Sequence, residues 1–155
     1  MPKEQKLRDA IDGLRNLERR SFGLRERFAF YAYLAAVLRL YRRLRRRNHA
    51  KNVGQNIISL LGLCERKGTH LIRIIIDATS RADNKTKSRW TRALRYAWHE
   101  RGEWKRLETF LQEHGGPAGC AARFAALKAN KHDTGRVIFR CPGTRRPYLI
   151  IENGS

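Results

Sequence analysis

Acidic side chains are scarce in this sequence: 14 Asp and Glu stand against 34 Lys and Arg in 155 residues, a formal net charge of +20. A metal-dependent nuclease needs two or more converging carboxylates. Asp77, Asp83 and Glu100 are the candidates, but one helix cap and two surface charges account for them equally well. Since phosphate-loop, dinucleotide and nucleophile-elbow motifs are also missing, we expect no enzymatic activity.

Long apolar runs are missing as well. The longest candidate, Phe28–Leu40, is flanked by arginines and is shorter than the roughly 20 residues of a membrane span. The basic segment Met1–Arg8 is not followed by the apolar stretch of a signal peptide. We therefore expect a soluble, cytoplasmic protein with no membrane partner.

Cysteine is rare and gives no framework for a metal site or disulfides. The three cysteines, Cys64, Cys120 and Cys141, are widely spaced and form no C-x-x-C pair. The five histidines show no spacing typical of zinc ligands. The expectation is buried free thiols in a reducing compartment, with no metal and no cofactor.

Arginine dominates what is present, with 25 Arg against 9 Lys. A small domain with this charge repels itself, so the excess is expected to meet a polyanion. Arginine binds phosphate through two donors and stacks on bases, which favours nucleic acid as the partner. An acidic membrane surface or an acidic protein partner is the weaker alternative.

Apolar residues recur at spacings of three and four along most of the chain, which is typical of amphipathic helices. The predicted helices span residues 3–20, 24–47, 53–66, 70–78, 84–101, 104–114 and 118–129. The triple isoleucine in 70–78 also suits a strand. The predicted fold is mainly α, a compact helical domain of about six or seven helices with a small C-terminal β-hairpin at 136–152. Residues 1–48 form an N-terminal helical hairpin and 49–155 the rest of a single structural unit.

Local signals set several of these boundaries. Gly68 is expected to end the third helix and Thr69 to cap the next one. Asp83 or Ser80 is the expected cap of the helix from residue 84. Residues 115–117 (Gly-Gly-Pro) break the chain before the last helix, and 130–135 is a predicted polar loop.

The second helix ends in the densest charge run of the chain. Its arginines are Arg42, Arg43, Arg45, Arg46 and Arg47, and Lys51 follows in the connection. A helix end favours cations, but five arginines exceed what capping requires. The run is either a phosphate-gripping nucleic-acid patch or a solvated helix end.

The predicted helix 84–101 combines an apolar side with a basic one. At about 100° per residue, one arc collects Lys85, Arg89, Arg92 and Tyr96, with Arg95 at its edge. The short helix 70–78, the turn at 79–83 and the basic helix from residue 84 together resemble a helix-turn-helix motif, although the usual turn glycine is absent.

In that motif the second helix would enter the major groove of DNA. Asn84 and Arg89 would pair with base edges, with Lys85 and Lys87 beside them. Arg92 and Arg95 would bind phosphates, and Tyr96 would stack on an exposed base. The alternative is an ordinary surface helix of a basic protein.

The C-terminal segment gives a second shape analogy. A helix at 118–129 followed by a hairpin at 136–152 resembles the end of a winged-helix domain, with Arg145 and Arg146 at the hairpin tip. These arginines would touch the nucleic-acid backbone, or they are only solvated.

Together these patterns predict a non-enzymatic nucleic-acid-binding protein, with duplex DNA favoured over RNA. The expected role is a small regulator or an accessory factor of a replicating or mobile element. The alternative is an RNA-binding subunit, or a modulator, of a ribonucleoprotein complex, with RNA or a protein as the real partner. The apolar segment Phe28–Leu40 suggests either a central core helix or a homodimer interface.

Overall fold

The computed structural model describes residues 3–23, 29–46, 50–62, 68–100 and 106–133. These ranges contain seven helices: α1 (Lys3–Gly23), α2 (Ala29–Arg46), α3 (Ala50–Leu61), α4 (Leu71–Thr79), α5 (Asn84–Glu100), α6 (Leu107–Glu113) and α7 (Gly116–Asp133). The prediction of a mainly α chain with six or seven helices is confirmed. The predicted β-hairpin at 136–152, with Arg145 and Arg146, lies outside the described residues. No helix in the described ranges is long and apolar enough to cross a membrane.

The predicted bounds of the third and the last helix are wrong. α3 starts at Ala50 rather than Val53 and ends at Leu61, where Gly62 has a φ of 60° that favours glycine. Gly68 therefore does not close this helix. α7 continues to Asp133, through the predicted loop at 130–135, because a polar composition alone does not stop a helix that contains no Gly or Pro there.

The segment 70–78 is a helix and not a strand, as α4 shows. Its N-cap is His70 rather than Thr69: the imidazole Nδ1 accepts a hydrogen bond of 3.2 Å from the backbone N–H of Ile72. Ile72, Ile75 and Ile76 are all buried, so the isoleucines serve as core residues of a short helix.

α2 lies at the centre of the core. Its residues Tyr33, Leu34 and Val37 have no exposed surface, and the cluster that they join includes residues from every one of the seven helices. Packing within the chain thus explains the apolar character of the described part of this segment, residues 30–40.

The chain reverses between α6 and α7 at Gly115 and Gly116, whose φ values of 77° and 71° confirm the predicted break. A Cβ at Gly119 would collide with the backbone carbonyl of His114, so the reversal also depends on this third glycine. α7 then packs along α5, more extensively than any other helix pair. Cys120 is a buried free thiol, as expected, and burial raises its pKa to about 11.

α1 fixes the turn that leads into α5. The buried carboxylate of Glu18 accepts hydrogen bonds from Ser80 Oγ at 2.9 Å and from the backbone N–H of Arg81 at 2.8 Å. Arg15 Nε donates to the carbonyl of Ala78 at 3.0 Å. The start of α5 is therefore held in place by a helix distant in sequence.

Candidate nucleic-acid interface

α5 begins at a well-defined cap. Asp83 Oδ2 accepts from the backbone N–H groups of Lys85 at 3.0 Å and Thr86 at 3.1 Å, which confirms Asp83 as the N-cap. Hydrogen bonds from the Thr86 side chain and backbone lower the pKa of Asp83, because they stabilise its charged form. The cap fixes the direction in which the following cations leave the helix.

Three cations form a row on the N-terminal half of α5. Lys85, Arg89 and Arg92 are exposed, and none of them has an acidic partner among the described residues. Arg92 Nε makes one long hydrogen bond of 3.4 Å, to the carbonyl of Ser88 one turn earlier. These three predicted site residues thus share one accessible face.

A second set of predicted site residues is bonded to side chains of α4. Arg73 of α4 donates to Asn84 Oδ1 at 3.0 Å, to Ser88 Oγ at 2.8 Å and to Asp77 Oδ2 at 2.8 Å. Lys87 Nζ lies 3.4 Å from Asp77 Oδ1. Asn84, predicted to pair with a base edge, and Lys87, predicted to lie beside it, here join α4 to α5.

Tyr96 is not on the exposed basic face, and its predicted placement there is wrong. Its side chain is only 7% exposed and packs on Phe110 and His114, with ring centroids 5.8 Å away in each case. Both partners lie at α6, which covers this side of α5. Angular position along α5 could not reveal this cover.

At the arginine-rich end of α2, Arg42, Arg43 and Arg45 are all exposed. Arg45 differs because its Nη1 donates to Tyr41 Oη at 2.9 Å and its guanidinium lies over the Trp98 ring, 5.5 Å from the centroid. Arg47 lies outside the described residues. The structure describes the backbone of Arg46 and of Lys51, which lies in α3, but not their side chains.

A cleft of about 430 Å³ opens where α2, α4, α5 and α7 meet. Its lining residues are Arg45, His70, Arg95, Trp98, His99 and Phe124. Arg95 lies over the Phe124 ring at 4.8 Å, and Lys128 Nζ is 5.6 Å from the same ring. We call this site the arginine cleft.

The surroundings of His70 in the arginine cleft lower its pKa. Burial is the main cause that lowers its pKa, followed by Arg95, Arg45 and Lys128, and together they bring the pKa to about 4. Its Nδ1 accepts the N-cap hydrogen bond, so the neutral ring carries its proton on Nε2. His70 is thus an uncharged donor beside three cations.

The three candidate carboxylates for metal chemistry do not converge. Asp77 pairs with Arg73 and Lys87, Asp83 caps α5, and Glu100 lies 3.8 Å from His99. Within the described ranges, no group of three or more His, Cys, Asp or Glu side chains is placed to hold a metal ion.

Sequence patterns missed the residues that organise this surface. Arg73 and His70 escaped because neither belongs to a charge run. The spacing of Arg73 and Asp77, four residues apart on a helix, is the signal that could have indicated their pairing. No protein-family model, curated protein or solved structure matches this chain.

Proposed function

We propose that this protein binds nucleic acid without catalysing a reaction on it, and that duplex DNA is the preferred ligand. The row of Lys85, Arg89 and Arg92 carries the proposal, because these cations are exposed and have no acidic partner in the described part of the chain. The row extends about 10 Å along a capped helix. A stiff basic helix of this kind suits the major groove.

The binding mode that this surface favours is contact with phosphates rather than base edges. Asn84 already accepts from Arg73, and Lys87 already pairs with Asp77. Exposed arginines and lysines that remain unpaired bind phosphate and release counterions whatever the sequence. Arg42 and Arg43 at the end of α2 supply further cations of the same kind.

The proposed biological role is that of a small cytoplasmic regulator or accessory factor of a replicating or mobile element. A homodimer would place two copies of α5 on one duplex. However, the α2 residues that suggested a dimer, such as Leu34 and Val37, are buried in the chain's own core. The proposal therefore stands on the monomer's surface alone.

The test is a competition gel shift at about 150 mM salt, with duplex DNA, structured RNA and heparin as competitors. A duplex preference that survives heparin supports the proposal. Displacement by heparin as readily as by DNA contradicts the preference for duplex DNA, since binding would then not depend on the geometry of the duplex.

A double variant, Arg89→Gln with Arg92→Gln, locates the contact. The plot of log affinity against log salt has a negative slope. Each lost phosphate contact should reduce the magnitude of this slope by about 0.9, so the pair should reduce it by about two. Lys6→Gln with Arg8→Gln removes the same charge from exposed sites on α1 and should leave the slope unchanged. Equal losses in both variants would exclude α5 as the interface.

The alternative function is an RNA-binding subunit or modulator of a ribonucleoprotein complex. Arg42 and Arg43 favour it, because exposed arginines at a helix end can bind an RNA backbone without entering a groove. Preference for structured RNA in the same competition, with the larger loss from Arg43→Gln than from Arg89→Gln, would select this alternative.

A further inference from the structure

The arginine cleft concentrates positive charge. Arg45 and Arg95 line it and Lys128 lies at its Phe124 wall, while no carboxylate is among the described residues that line it. A second cleft of about 430 Å³, beside Arg39, Arg42 and Arg106, differs because Glu108 lines it. The arginine cleft thus has the electrostatics of an anion site.

Aromatic rings hold these cations in place. Trp98 lies beneath the Arg45 guanidinium, and Phe124 beneath that of Arg95. The N–H donors of a guanidinium lie in its own plane, so a ring beneath that plane restrains the cation without consuming its donors. Among the described residues, one hydrogen bond uses these donors, from Arg45 Nη1 to Tyr41 Oη. The remaining donors are therefore preorganised for a ligand.

The chemistry of the cleft favours a dianion that accepts several hydrogen bonds. Three cations and the neutral N–H of His70 would together match a terminal phosphate, which carries a charge of about −1.5 to −2 and three acceptor oxygens. An internal phosphodiester offers only one charge. The volume of about 430 Å³ falls within the range of about 300–1,000 Å³ typical of small-molecule sites, so it has room for a group attached to the phosphate.

We propose that the arginine cleft binds a phosphomonoester group, carried by a free nucleotide or by the end of a nucleic-acid strand. This inference goes beyond the proposed function, because Arg45 and Arg95 lie in the cleft and not in the exposed row on α5. The cleft would take its ligand even if that row bound no nucleic acid.

Calorimetry on the full chain with adenosine monophosphate and with adenosine tests the phosphate requirement. The monophosphate should bind and the nucleoside should not. Arg95→Gln should weaken binding about tenfold or more, the loss expected for a charge-assisted contact. Arg8→Gln, an equal charge change on α1, should keep wild-type affinity. Equal binding of the two ligands, or equal losses in the two variants, would overturn the proposal.

The titration of His70 gives a readout that needs no variant. The groups that face it are Arg45 from α2, Arg95 and His99 from α5, and Lys128 from α7. A dianion among these cations should raise the pKa of His70 from about 4, which NMR of the imidazole ring measures. Adenosine should leave it unchanged. An unchanged His70 pKa in saturating monophosphate would place the ligand elsewhere and refute the site.

A final arm identifies the source of the phosphate. Short oligonucleotides with and without a 5′-phosphate are compared for binding to wild type and Arg95→Gln. Tighter binding of the phosphorylated strand, lost in the variant, assigns the cleft to strand ends. Tight binding of the monophosphate with no such difference assigns it to free nucleotides. Arg89→Gln with Arg92→Gln separates this result from the duplex proposal, since it should retain monophosphate binding.

Discussion

The two halves of α5 show how one helix face can be exposed along one half and covered along the other. Arg89 and Tyr96 are seven residues apart, so their side chains leave the helix within about 20° of each other. Arg89 is exposed, whereas Tyr96 is 7% exposed beneath α6. In the described part of the chain, the N-terminal half of the face is exposed, and α4 bonds to Asn84 and Ser88 at its edge.

The difference between the halves extends to their cations. Lys85, Arg89 and Arg92 project from the first half without acidic partners among the described residues. Arg95, in the second half, is half-buried over Phe124 of α7. Exposed cations suit a long phosphate backbone, while restrained cations in a cleft suit a single small anion. One basic helix thus presents two surfaces, for which we propose different ligands.

The largest expected effect on stability comes from truncating a core side chain in the covered half of α5. Tyr96→Ala removes ring contacts with Phe110 and His114 and should destabilise the fold by about 3 kcal/mol, in the range of large core truncations. Arg89→Ala, one heptad away on the same face, should change stability by less than about 0.5 kcal/mol. Urea unfolding measures both. Similar values for the two variants would show that Tyr96 is not a core residue, and Tyr96→Phe, which keeps the ring, should stay near wild type.

A smaller effect is expected at the junction of α4 with the open half. Arg73→Ala removes three hydrogen bonds, to Asp77, Ser88 and Asn84, and should cost about 2 kcal/mol because one partner is charged. Arg81→Ala removes an exposed arginine from the adjacent turn and should fall within about 0.5 kcal/mol of wild type. Unfolding curves of the pair decide this. If the two variants matched, the junction would not contribute to stability.

The positions of the helices could be predicted from the sequence more completely than the contacts between them. Periodicity located α4 and α5 to within one residue at each end, because their apolar and capping residues are local signals. It misplaced Tyr96 because the cover comes from α6, which lies beyond a stretch of intervening chain. The pairing of Glu18 with Ser80 and Arg81 is equally distant in sequence. Contacts of that kind leave no periodic trace.

The candidate site follows the same division. Exposure of Lys85, Arg89 and Arg92 could be predicted from one helix, since no other element in the described part of the chain covers that half of the face. The arginine cleft could not be, because Arg45, His70, Arg95 and Phe124 come from four separate segments. Only tertiary packing brings them together. Charge composition therefore predicted a basic protein without locating its most organised cationic site.

The smallest expected effect is a pH dependence of stability that arises at His70, in the arginine cleft beside the covered half of α5. The folded pKa of His70, about 4, lies below its ordinary value of 6.5, so between these values the unfolded chain binds more protons than the native one. Stability should therefore rise with pH across this window and be lost as the pH falls from about 6.5 towards 4. His70→Asn keeps a capping side chain but cannot titrate. Urea unfolding at pH 5 and at pH 7 should show a larger loss on acidification in wild type than in this variant. Equal losses would mean that neither burial nor the neighbouring cations lower the pKa of His70. Lys85→Gln, in the open half, should preserve the wild-type pH dependence, because Lys85 is not among the groups that shift this histidine.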